Sequence, residues 1–182
     1  MVSSELRDQL TMTAGLPTDD PWGDRQEDLP LADFDALVAG GLSFAAVPRT
    51  AWEYSNLGYV LLGRVISAAT GRDYREYVRT ELLEPLGMTS TGYDVGDVPA
   101  GRLAQGYAPV DAGLVPEPFT GSGAFSPMGG LLSTARDIAT WVAGFQHSWA
   151  HTGVDDHPLD RWSRREMQEP QRYVTTMLTT SE

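Results

Sequence analysis

The chain contains no cysteine and no lysine. Without cysteine, disulfides and thiolate chemistry are excluded, and the compartment is left open. All 13 basic residues are arginine, against 25 Asp and Glu, for a net charge of −12. That surplus speaks against nucleic acid and anionic membranes as partners. Long apolar runs are also missing. The best candidate, starting at Leu57, is broken by Arg64, so no segment is expected to span a bilayer. The N-terminal MVSSELRDQL is polar and lacks the apolar region of a signal peptide. What remains is a chain of 182 residues, 41% hydrophobic, enough for one globular domain with a core.

The most informative stretch is Trp52 to Gly71, WEYSNLGYVLLGRVISAATG. A polar turn, Tyr54-Ser55-Asn56, stands directly before a helical pattern. Leu57, Val60, Leu61, Arg64, Val65 and Ala68 recur at helical spacing, and Leu62, Ile66 and Ala69 widen the stripe. The spacing predicts a buried helix, capped by Asn56 or Ser55 and stopped by Gly71. Tyr54 and Asn56, two residues apart in an extended turn, then point to one side.

Tyr54 can give or take a proton, and Asn56 offers an amide with two donors and an acceptor. A phenol titrates near pH ~10, so a base at neutrality needs a shift of about 3 units, or roughly 4 kcal/mol. One cation about 4 Å away, at an effective dielectric of about 20, supplies that much. A lysine would suffice, and there is none. On its own residues, then, the turn is half of a catalytic apparatus, or a plain helix cap with a core tyrosine before it.

The turn resembles the Tyr-x-Asn motif of class C β-lactamase-like serine hydrolases, the family of serine β-lactamases, DD-peptidases and related esterases. Other segments resemble that family in the same order. They are the helix end Leu10-Thr11-Met12-Thr13-Ala14-Gly15-Leu16-Pro17, the turn Glu84-Pro85-Leu86-Gly87-Met88, the segment Gly129 to Asp137, and Arg164 to Met167. The resemblance implies a parent fold of a sheet flanked by helices plus a helical lobe. This chain would hold mainly the lobe, mainly α with little strand. It further implies hydrolysis of an amide or ester (a β-lactam, a D-Ala-D-Ala peptide or a carboxylic ester) through an acyl-serine, with no cofactor or metal. Tyr54 would shuttle the proton and Asn56 would hold the substrate carbonyl. Gly129 and Gly130 would border the cleft and bind substrate. The family's S-x-x-K motif would lie before the matched helix end. Residues 1–182 therefore read as a partial domain lacking its N- and C-terminal parts, silent alone and marginally folded. The alternative is a non-catalytic ligand-binding remnant. An α/β-hydrolase needs a nucleophile elbow, which is missing.

Along the rest of the chain, Ser3 or Ser4 is expected to cap a helix to about Met12, with Leu6 and Leu10 on one face and Gly15 as its stop. Leu16 to Pro30 reads as a solvated loop. Its Asp19, Asp20, Asp24, Glu27 and Asp28 could bind a divalent cation, and Trp22 is placed over the rim of the site. Leu31, Phe34, Leu37 and Val38 mark a helix ended by Gly40-Gly41. Asp73 caps the next, with Glu76 in capping-box position and Pro85 as its end. A short strand is expected at Leu103 to Tyr107. Thr134, boxed by Asp137, caps a helix whose Ile138, Trp141, Val142 and Phe145 face the core. A last short helix covers Leu159 to Met167. His147 and His151 share a metal-like spacing that Gly153 and Pro158 interrupt. His151-Thr152-Gly153 resembles the family's third motif but precedes the helix it should follow. Thr175 to Glu182 shows no packing pattern.

Overall fold

A computed structural model describes residues 4–19, 24–111, 113–150 and 153–172. The expectations for Asp20, Trp22, His151, Thr152 and 175–182 lie outside the described residues. Helix α1, Leu6–Leu10, starts at Glu5, which forms a capping box with Asp8. Leu6 and Leu10 share a face, as expected, but both are more than half exposed, while Asp8 and Gln9 are buried. Polar partners explain which side is buried. Arg49 Nε bonds both oxygens of the Asp8 carboxylate at 2.9 and 3.1 Å, and Gln9 Nε2 donates to Ser4 Oγ at 2.9 Å.

Helix α2, Leu31–Ala39, ends before Gly40 as expected, and of its apolar residues only Phe34 is fully buried. Helix α3, Asn56–Thr70, ends at Gly71, whose φ of 68° is the left-handed conformation glycine adopts without strain. The core lies between these two helices and a short 3-10 turn at Ser126–Met128. It comprises Phe34, Val60, Ala124 and Phe125, with the Phe34 and Phe125 rings edge to face at 5.6 Å. A Cβ added at Gly63 would overlap the Pro127 ring, so glycine lets this turn sit directly on α3. The expectation of a wholly buried α3 is corrected. Only Asn56, Gly58, Val60 and Gly63 are buried, and Val65 is 40% exposed.

Helix α4, Tyr74–Val78, is capped by Asp73, whose side chain accepts from Arg75 N and Glu76 N. It runs into one wide π turn, Arg79–Leu83, which buries Leu83. The expected strand begins where it was placed to end. β1, Tyr107–Val110, pairs antiparallel with β2, Gly113–Pro116. Upstream of it, Gln105 Nε2 bonds the carbonyls of Gly106 and Glu117. Helix α5, Ala135–His147, is capped by Thr134, which accepts from Asp137 N at 3.2 Å. The Asp137 carboxylate does not close a box. It accepts from Ser90 N and Thr91 Oγ1 at 2.9 and 2.8 Å, pinning that loop to α5. The helix is accordingly rotated from expectation: Ile138 and Val142 are nearly half exposed, and Asp137 and Gly144 are buried. Helix α6, Arg161–Glu166, is capped by Asp160. Its Arg164 is fully buried and bonds Gly144 O, Leu159 O and Asp155.

Candidate active site

The turn before α3 is extended at Ser55, with φ −145° and ψ 116°. That conformation brings Tyr54 and Asn56 to one side, and Tyr54 Oη donates to Asn56 Oδ1 at 3.0 Å. Tyr54 is 38% exposed and Asn56 only 5%, so a reachable phenol stands over a fixed amide. Asn56 Nδ2 has no hydrogen-bond partner among the described residues.

The expected cap is corrected. Ser55 occupies the N-cap position but makes no cap bond, and its buried Oγ has no partner among the described residues. Asp19 does the capping from a distant loop. Its two carboxylate oxygens accept from Asn56 N and Leu57 N, both at 2.8 Å. Asp19 is 1% exposed, so at this position the loop is not a solvated acidic segment. Met12 braces the same turn from the other side. Its carbonyl accepts from Glu53 N at 2.8 Å, and its sulfur lies 3.4 Å from Ser55 N. Met12 and Arg49 are the two non-glycine residues with positive φ among those described, at 56° and 71°. The Arg49 guanidinium is committed to Asp8 and Glu5, where it holds the Asp8 carboxyl below the usual carboxylate range.

Gly129 and Gly130 follow Pro127, which packs on Gly63, roughly 10 Å along α3 from Asn56. Gly130 has φ 74°, and the Glu27 carboxylate occupies the space a side chain would need. A groove of about 820 Å³ lies elsewhere, between α4 and the loop after Thr89. No group of three or more metal-ligating side chains is found among the described residues. No helix among them is long and apolar enough to cross a membrane. Sequence reasoning missed Asp19 and Met12. The signal for Asp19 was its place just after the matched Gly15-Leu16-Pro17, where Leu16 is itself buried.

The helical architecture with little strand is that of the penicillin-binding protein and β-lactamase fold. The family model described as Beta-lactamase matches residues 5–180, and the chain belongs to that family. It is 37% identical over 141 residues to the human beta-lactamase-like 1 protein, covering 74% of this chain and 26% of that one. Among solved structures, a penicillin binding protein from Bacillus halodurans aligns with a TM-score of 0.69 and 25% identity, over 92% of this chain and 51% of that one. A D-amino acid amidase from Ochrobactrum anthropi aligns with a TM-score of 0.60 and 29% identity, over 78% and 43%. The chain spans about a quarter or less of the length of the curated relatives it matches.

Proposed function

We propose that these residues are the helical-lobe section of a serine hydrolase that cleaves an amide or ester bond through an acyl-serine. The observation that carries this reading is the 3.0 Å Tyr54–Asn56 hydrogen bond at the mouth of α3. The amide-cleaving neighbour, a D-amino acid amidase, supports the bond class. In this reading a serine and its lysine come from an S-x-x-K motif outside the 182 residues. Tyr54 takes the proton from the attacking hydroxyl and returns it to the leaving group. Asn56 donates Nδ2–H to the substrate carbonyl, which would satisfy an unpaired donor. Gly129 and Gly130 border the cleft. The substrate is a small molecule or peptide.

The test is Tyr54→Phe in the in-frame gene product that carries S-x-x-K. Acylation by a chromogenic β-lactam or a p-nitrophenyl ester should fall by about 10²–10⁴-fold. Unchanged acylation would remove Tyr54 from the mechanism. The purified 182 residues should turn over neither substrate, since they contain no lysine. Hydrolysis stopped by a serine-directed inhibitor would refute that. A second reading is a ligand-binding remnant, in which the buried, unpartnered Asn56 Nδ2 bonds a ligand that is not turned over. Saturable binding without turnover in the complete gene product would select it.

A further inference from the structure

We infer that Asp19, assisted by Met12, is a positioning residue that holds the Tyr54-Ser55-Asn56 turn in its working geometry. The purpose of the turn rests on the hydrolase reading above; the clamp itself rests on contacts alone. The first N–H groups of a helix have no partner inside it. In α3 the first two, on Asn56 and Leu57, are both taken by the one Asp19 carboxylate. Bonds from backbone N–H to an ionised carboxylate are among the stronger hydrogen bonds, and a helix N-terminus favours negative charge. A carboxylate 1% exposed is costly to keep, and no ion pair to Asp19 is found among the described residues. The cost is met by fixing the backbone of Asn56, the residue whose Oδ1 receives the Tyr54 phenol. On the near side, Met12 binds Glu53 N and Ser55 N from a left-handed backbone that a residue with a side chain rarely adopts. Four amides on both sides of Tyr54 are thus held from outside α3, two by each residue.

The experiment is amide exchange together with ¹³Cζ-tyrosine spectra of the 182-residue protein as wild type, Asp19→Asn and Met12→Leu. In Asp19→Asn the Asn56 and Leu57 amides should exchange at least about tenfold faster, with Leu61 and Arg64 unchanged. The Tyr54 ¹³Cζ shift at fixed neutral pH, assigned with Tyr54→Phe, should also move, because the Asn56 acceptor of its hydroxyl is no longer held in place. In Met12→Leu the Ser55 amide should lose protection. Faster exchange with an unmoved Tyr54 ¹³Cζ shift would make Asp19 a helix cap only and overturn the proposal. Unchanged exchange at Asn56 and Leu57 would overturn it too. If the variants fail to fold, the wild type decides. The Asn56 and Leu57 amides, which as first-turn groups have no partner inside the helix, should be protected from exchange like those of Leu61 and Arg64, and exchange at the rate of a free amide would overturn the clamp. No readout here depends on turnover, so failure of the hydrolase reading and failure of the clamp are told apart.

Discussion

At the scale of single residues, close contacts set the sharpest expectations. Gly63 faces the Pro127 ring with no room for a methyl group. Gly63→Ala should push the 126–128 turn off α3 and cost about 1–3 kcal/mol, read as a lower urea midpoint. Ala68, exposed on the same helix, supplies the control: Ala68→Ser should be nearly neutral. His157 gives a pH expectation. Its Nδ1 meets the Leu159 backbone, 3.0 Å from the N–H and 3.2 Å from the carbonyl, and the tautomer sets which of the two it bonds. Its Nε2 is buried against Gly144 with no partner among the described residues. Burial first, and the Arg164 charge next, hold this imidazole below its usual range, with the Leu159 backbone bond, Asp155 and Asp156 opposing. The unfolded chain therefore binds the proton more readily than the folded one. The His157 contribution is complete above pH ~6.5 and is lost as pH falls through the lowered folded value. Melting temperature should drop as pH falls below about 6.5 in the wild type, and this part of the slope should be absent in His157→Gln. Identical slopes would contradict it. The carboxyls of Asp8, Asp155 and Asp160, held below their usual range, lose their contribution only at lower pH, in both proteins.

At the scale of elements, Asp137 ties α5 to the loop at Ser90 and Thr91 while being almost fully buried. Asp137→Ala should leave the Ser90 N–H without its acceptor and cost about 1–3 kcal/mol. Thermal melts of Asp137→Ala and Asp137→Asn, the latter milder, would check this. The same residue shows how far the sequence could be read. Local signals were legible: Gly71 as the stop of α3, Asp73 and Thr134 as caps, the Tyr54–Asn56 pairing two residues apart. Each depends on neighbours within one turn. The role of Asp137 was read from the capping-box spacing, but its carboxylate is claimed by Ser90 and Thr91, 46 or 47 positions away. Asp19 was misread for the same reason, since its partners lie 37 and 38 positions along the chain. The inner face of α5 was misplaced because periodicity counts apolar residues. In α1 and α5 the buried positions are Asp8, Gln9, Asp137 and Gly144, selected by bonding and close approach. The Tyr-x-Asn turn was legible as a site; the residues that hold it were not.

At the scale of the whole molecule, much apolar surface stays in contact with solvent. Leu37, Val65, Ile138, Val142 and Trp162 are between 40% and 73% exposed, on four different helices. Among the described residues only eight apolar side chains are buried, four of them clustered around Phe34 and Phe125. Burying so little should leave the purified chain marginally stable. A broad, low-amplitude melt and binding of a hydrophobic dye are expected by calorimetry and fluorescence. A sharp transition at high temperature without dye binding would count against this. One element also sets how the two ends of the molecule face each other. The π turn at Arg79–Leu83 behaves as an extra residue absorbed into a continuous helical rod. Deleting one residue there should restore an ordinary α-helix without breaking it. Every position beyond would then be turned by about 100°. Leu83 would leave the core, and the Gly87-Met88 turn would aim the rest of the chain in a new direction. The wide turn thus acts as a phase setting, and one codon is its unit of adjustment.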